Sequence, residues 1–403
     1  MRKIDIVQGI FICGFALFSS ISISITQLFL ALSLLTWAVS LFLRDKYVVP
    51  GYDGWPSLYN FLILWVVWRI FHVFASDHFT SELIQFREVW LLLIVPLIVR
   101  RLHSKLFTPF FFSLLGGAAI AGLGAYYSVR EFPFLDFGHR ANAFGGMHHL
   151  TFAGIEAMLG FLGIGVFLWF LRSGKKAVAF ISLALSIAIW LGFVYTKSRG
   201  AYIAVACVTG ILLVYRLRSY SVLLGIPALL GILVLFREKI FTYMAFFTSS
   251  MTAEGSRAGS FTERIDLWHT GLKMLAVKPF IGFGDADYIA YFHKYTVENA
   301  VGVASSGSHM HNDFINTSVL YGLVGLVIFL GFYVSPIKTA LQAYYREKNS
   351  GSAIVVMTCL GVLLFAFMGL SQCHFTSEMT QMTFWTVAAV AIRFSEQPTV
   401  SEI

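Results

Sequence analysis

The densest chemistry in the sequence lies at Ser308-His309-Met310-His311-Asn312-Asp313. There two imidazoles, an amide and a carboxylate crowd the mouth of an apolar run that ends near Tyr333. Polar side chains held together at such a boundary are costly and usually mark a site. A neutral imidazole can take a proton from a hydroxyl at physiological pH, which makes His311 a candidate general base. The plainer reading is a histidine that caps the run and is satisfied by its neighbours. Nine residues separate Asn312 from Gly322, and Gly322-x-x-Gly325 offers small residues suited to close helix packing.

Three further clusters could meet a negative charge. In Thr196-Lys197-Ser198-Arg199-Gly200-Ala201, Arg199 presents a planar fork of donors that suits phosphate. A helix starting at Gly200 would add backbone N–H groups, and Lys197 a second charge. The same residues also read as a turn whose cations reach lipid headgroups. Arg264, near the start of an expected helix, opposes the macrodipole there unless an anion lies close by; it could equally anchor that helix to headgroups. His139-Arg140-Ala141-Asn142 and the His148-His149 pair form the third cluster. Adjacent histidines do not share a helical face and no carboxylate stands at ligand spacing, so a contact from Arg140 to phosphate or sugar outweighs a metal site. Asp285-Ala286-Asp287 reads as a polar turn after Gly284.

The elements that must position these residues follow from composition. Of 403 residues, 58% are hydrophobic and 12% charged, against about 25% charged in soluble domains. Mean hydropathy is +0.76. The apolar runs are far longer than the roughly ten-residue strands of a barrel, so an all-α polytopic membrane protein is expected. About twelve spans fit, near 6–23, 25–43, 58–75, 83–99, 107–127, 150–171, 177–195, 201–215, 221–236, 313–334, 352–371 and 379–394. The Met1-Arg2-Lys3 start reads as the head of the first span rather than a cleaved signal.

The net charge of +8 sits mostly in short clusters beside these runs and gives no cause to invoke nucleic acid. Arg2-Lys3, Arg100-Arg101, Lys175-Lys176 and the Arg216/Arg218 pair all fall on one side, which the positive-inside rule makes cytoplasmic, with both termini. The polar stretches 130–149, 196–200, 237–312 and 372–378 then share the opposite face. Cys13, Cys207, Cys359 and Cys373 show neither metal spacing nor a disulfide framework. The chain reads as one integral membrane domain, 1–403, with one long loop region, 237–312. In that loop Ser260-Phe261-Thr262-Glu263 has capping-box spacing. A helix over about 261–277 follows, with Ile265, Trp268, Leu272 and Leu275 on one stripe and Arg264 in its first turn, closed by Lys278-Pro279.

Taken together, these residues resemble a family. His311-Asn312, nine residues, Gly322-x-x-Gly325 resembles the signature of bacterial O-antigen ligases and protein O-oligosaccharyltransferases. Thr196-x-Ser198-Arg199-Gly200 resembles their Ser-Arg-Gly turn. Arg264 with Trp268, then Lys278-Pro279-Phe280-Ile281-Gly282-Phe283-Gly284, is similar to their periplasmic loop. The likeness runs from about Arg140 to Gly325. It implies a GT-C-type, metal-independent, inverting glycosyltransferase without cofactor in the bacterial inner membrane, its active site periplasmic.

The donor would be a glycan on undecaprenyl diphosphate and the acceptor a hydroxyl of lipid A-core. By motif, His311 would be the base, while Arg199 and Arg264 would bind the diphosphate and Arg140, Lys197, His309 and Asn312 would support. A polymerase extending carrier-linked glycan and a protein O-oligosaccharyltransferase use the same donor chemistry; the short tail after the last span weighs against the protein acceptor. A transporter of the lipid-linked glycan is the non-enzymatic alternative. It would place charges in a central cavity reached from both sides, whereas here the polar clusters gather at one face.

Overall fold

The computed structural model describes residues 3–42, 55–132, 139–142, 147–217, 259–295, 309–346 and 352–395. The chain opens with α1 (Lys3–Phe18), α2 (Ile23–Phe42) and α3 (Ser57–Ala75). Where one span over 83–99 is expected, the chain forms α4 (Phe79–Phe86), a 3-10 stretch (Arg87–Leu93) and α5 (Ile94–Arg101). Pro96 accounts for the interruption. It has no N–H for the Leu92 carbonyl and its ring crowds that carbonyl, so the preceding turns tighten.

Next come α6 (Phe107–Val129), α7 (His149–Arg172), α8 (Lys176–Tyr195) and α9 (Arg199–Leu217). The expected span 221–236 lies outside the described residues. After it follow α10 (Gly259–Val277), α11 (Gly284–Tyr295), α12 (Asp313–Arg346), α13 (Ser352–Gly369) and α14 (Glu378–Ser395).

Six helical stretches, built on α2, α3, α6, α7, α8 and α12, have the length and hydropathy to cross a membrane, and the chain is a polytopic membrane protein. The burial pattern separates centre from periphery. α14 buries every residue from Met379 to Phe394 and packs against α5, α7, α12 and α13. α3, in contrast, leaves Ile63, Leu64, Val67, Phe71 and Phe74 exposed, as a lipid-facing helix does. The ends of α7, α9 and α12 that carry the polar clusters lie together at one end of the bundle. Arg101, at the end of α5, is held near Asp5 and bonds the Gln8 side chain of α1.

α12 is 34 residues long, past the expected end at 334, and it is broken. Gly322 has φ +68, a conformation open to glycine and strained for side chains. At the break the segment 279–283 lies against α12 and pairs with its backbone. Phe283 N–H donates to the Val319 carbonyl (3.0 Å), and Leu323 N–H donates to the Pro279 carbonyl (2.8 Å). The Trp68 indole of α3 donates to the Tyr321 carbonyl (3.0 Å). Non-helical backbone at membrane depth survives only when its polar groups find partners in this way.

Only one of the two glycines does the close helix packing expected of both. Gly325 does face Trp68 of α3, but a Cβ at Gly322 would fall on the Phe280 carbonyl. Gly322→Ala should consequently destabilise the protein by at least the cost of one strained residue, about 1–3 kcal/mol, read as a lower melting temperature in detergent. Gly116→Ala, at a helical position with open space around it, should leave the melting temperature near wild type.

Candidate active site

Three helix starts and one turn converge at the polar end of the bundle. The first is the junction of α8 and α9. Thr196 folds its hydroxyl back onto the Phe193 carbonyl (2.7 Å), and Lys197 takes φ +52 with its side chain buried. Ser198 stands just before α9, and Arg199 is the exposed first residue of that helix. Gly200 lets this junction approach the turn after α13, since a Cβ there would lie 2.7 Å from the Ser371 hydroxyl. Ala141 N–H donates to the Tyr195 carbonyl (2.9 Å), bringing the Arg140 segment alongside. Arg140 meets His149, the first residue of α7, at 2.7 Å.

The second is the start of α12. Asn312 caps it: its side-chain oxygen accepts the N–H groups of Phe314 and Ile315 (3.0 Å each), and its amide donates to the Leu370 carbonyl (3.1 Å). This is the helix-capping geometry its residue type favours, so Asn312 serves to hold the turn. Asp313 is buried behind it and accepts from Phe375 N–H (3.1 Å). His311, just upstream, has φ +48. Its Nδ1 lies 2.6 Å from the Gln372 side-chain oxygen. An amide oxygen only accepts, so Nδ1 carries the hydrogen, and in the neutral ring the lone pair is then on Nε2. The His309 ring sits 4.4 Å from that of His311.

Burial, and then the neighbouring His311 and His148, hold His309 down to about 4, so it is neutral near pH 7. His148 is lowered by burial first, then by Arg140 and His311, which places it around the same centre. His374 is fully buried in the 370–377 turn and pushed down to about 3 by burial.

The third contribution comes from the loop helix. α10 starts two residues earlier than expected, so Arg264 falls in its second turn and the macrodipole bears on it less than supposed. The helix is also rotated relative to the expected stripe. Leu267, Thr270, Gly271 and Met274 are buried while Leu272 is exposed. Gly271 explains the choice, because the helix lies there on Met310 and Ile315 at the start of α12. That seating delivers Arg264 to a small cavity of about 30 Å3, lined also by Leu150, Ser198, Gly200, Gln372 and His374. The starts of α7 and α9 thus share a pocket with Arg264 and with the residue that bonds His311. Helix starts and a guanidinium both favour an anion. Among the described residues no group of three His, Cys, Asp or Glu side chains is placed to hold a metal ion.

Two parts of this arrangement carried little signal in the sequence. Gln372 belongs to a stretch marked only as polar and facing the same side. Asp285 and Asp287 are not in a turn but open α11, where Asp285 pairs with Arg69 of α3 (2.9 Å). Tyr321 bonds both partners, and Glu82 of α4 caps the same helix through Ala286 N–H (2.9 Å). The network pins the loop to the bundle beside the break in α12.

A family model described as O-antigen ligase matches residues 184–330, from α8 across the loop helices and past Gly322. No curated protein matches the chain. The matched interval contains Lys197, Arg199, Arg264, His309, His311 and Asn312, the residues gathered at or beside the pocket. Over residues 184–330 the chain is thus similar to the O-antigen ligase family.

Proposed function

We propose that the protein is an inverting glycosyltransferase of the GT-C type. It moves an O-antigen glycan from undecaprenyl diphosphate to a hydroxyl of lipid A-core at the periplasmic face of the bacterial inner membrane. The observation that carries this reading is the bond between His311 Nδ1 and Gln372, which in the neutral ring leaves Nε2 as a proton acceptor beside a small pocket lined by Arg264 and two helix starts.

In the reaction Nε2 takes the proton of the acceptor hydroxyl. The acceptor oxygen attacks the anomeric carbon from the face opposite the diphosphate, a new glycosidic bond forms, and the anomeric carbon–oxygen bond to the diphosphate breaks. The diphosphate leaves with the electron pair. Arg264 and Arg199 balance the charge that grows on it, the task that preorganised donors perform at a developing anion. Arg140, Lys197 and His309 shape the surroundings, and Asn312 fixes the turn. Twelve spans with both termini cytoplasmic fit this placement. A polymerase would run the same donor steps and differ only in using a second carrier-linked glycan as acceptor.

The decisive assay mixes purified enzyme, carrier-linked glycan and lipid A-core in EDTA. His311→Ala should lower turnover by about 10²–10⁴-fold, the usual weight of a general base, while donor binding persists; wild-type turnover would remove the base assignment. Arg199→Lys keeps the charge and loses the fork. It should weaken donor use about ten- to a hundredfold, the share of one charge-assisted hydrogen bond of about 1.5–3 kcal/mol. Unchanged donor affinity and turnover would count against a bidentate phosphate contact. Gln372→Leu should cut kcat by about 10–100-fold, as losing an orienting partner does for liganded histidines. It should also shift the pH profile, which a purely structural role would leave in place.

A further inference from the structure

On the other side of the 371–376 turn from the histidine pocket lies a second, larger cavity of about 270 Å3. That is near the lower end of small-molecule sites, about 300–1,000 Å3, and well beyond the about 10–15 Å3 a water needs. Its walls come from α3, the 3-10 stretch, α11, α12, the 371–376 turn and α14. The lining mixes two chemistries. Trp65, Phe332 and Trp385 give aromatic surface, and Glu88, Asn316 and Gln381 give polar ends.

Some of the donors in these walls are unused. The Tyr288 hydroxyl, the Trp385 indole N–H and the Arg69 Nε–H are buried without a hydrogen-bond partner among the described residues. Such groups are costly in a finished structure, and they belong to residues whose other atoms border the cavity. The acceptors are in place as well: Glu88, bonded by Gln381 at 3.0 Å, Asp285 and Asp313 all border the cavity.

Donors, acceptors and ring faces around one small space suit a sugar, whose hydroxyls both give and accept and whose C–H faces lie on aromatic rings. They do not suit a diphosphate, which only accepts and would meet three carboxyl groups against one guanidinium already paired with Asp285. The cavity is also tied to the reacting centre. The Asn316 side chain accepts Met310 N–H (3.1 Å), and Asp313 holds the Phe375 end of the turn that carries Gln372. We propose that this cavity binds the hydroxyl-bearing sugar of the acceptor, with the carrier diphosphate held apart on the Arg264 side. The assignment rests on the transferase reading above and adds to it where the second substrate sits.

The test uses the full-length protein in detergent, with carrier-linked glycan as donor and purified lipid A-core as acceptor. Two variants serve. Thr317→Leu fills the cavity from α12, and Glu88→Gln keeps an acceptor for Gln381 while removing the carboxyl. Each should raise KM for lipid A-core about tenfold or more, leave donor KM within twofold, and melt near wild type. An unchanged acceptor KM overturns the proposal, and so does a rise confined to the donor KM, which would make this the donor's sugar site. Should the wild type lengthen carrier-linked chains and make no lipid A product, the ligase reading fails on its own. The same comparison is then made with carrier-linked glycan as acceptor. Binding of delipidated core oligosaccharide without donor, measured by calorimetry, checks the cavity independently of turnover: about tenfold weaker binding by Thr317→Leu upholds it, equal binding overturns it.

Discussion

The structure depends on one constraint, that backbone polar groups in a low-dielectric bundle must be paired. α12 violates helical geometry at Gly322, and the carbonyls and N–H groups released there are taken up by the 279–283 segment and by Trp68. Because that segment is needed to satisfy the break, it cannot drift as an ordinary loop would. It connects α10 to α11, so both loop helices are drawn against the bundle. Arg264 reaches its pocket, and Asp285 reaches Arg69, as consequences of the same pairing. The two glycine motifs of the sequence, Gly282-x-Gly284 and Gly322-x-x-Gly325, are thus two sides of a single joint.

The one-sided distribution of polar groups bears on enzyme against transporter. His311, Arg264, Arg140 and the starts of α7, α9 and α12 all lie at one end of the bundle. Arg69 is neutralised by Asp285 in the same region. Glu156 in α7 is the exception, a fully buried carboxyl beside the Gly122 position of α6 with no hydrogen-bond partner among the described residues. Nothing else in the structure gives it a role.

Much of this arrangement was legible beforehand. Long apolar runs gave nearly all the described helices, because length and hydropathy constrain a membrane helix strongly. The His-Asn and Ser-Arg-Gly turns and Arg264 stood out because charge at a span boundary is expensive. What escaped was whatever depended on distant partners. Gln372 is a neutral amide in a short turn and meets His311 only through tertiary packing. Asp285 read as a turn residue because its partner, Arg69, lies in another span. The rotation of α10 followed from Gly271 fitting against Met310, whereas a hydrophobic count placed Leu272 inward. The break in the fourth span was signalled by Pro96, and hydropathy averaged across it.

Lys197 and His311 are the two described residues other than glycine with positive φ; Lys197 precedes Ser198 of the pocket wall, and His311 bonds Gln372 of that wall. Each side chain is aimed by a backbone that would relax if glycine stood in its place. On the proposed transferase reading, selection for robustness and selection for turnover therefore pull in opposite directions at these positions. Glycine in place of His311 would release that strain and, on the proposed transferase reading, the activity with it. An inert copy of this protein would be the hardier one, and for that reason the easier one to capture with its lipid substrates in place.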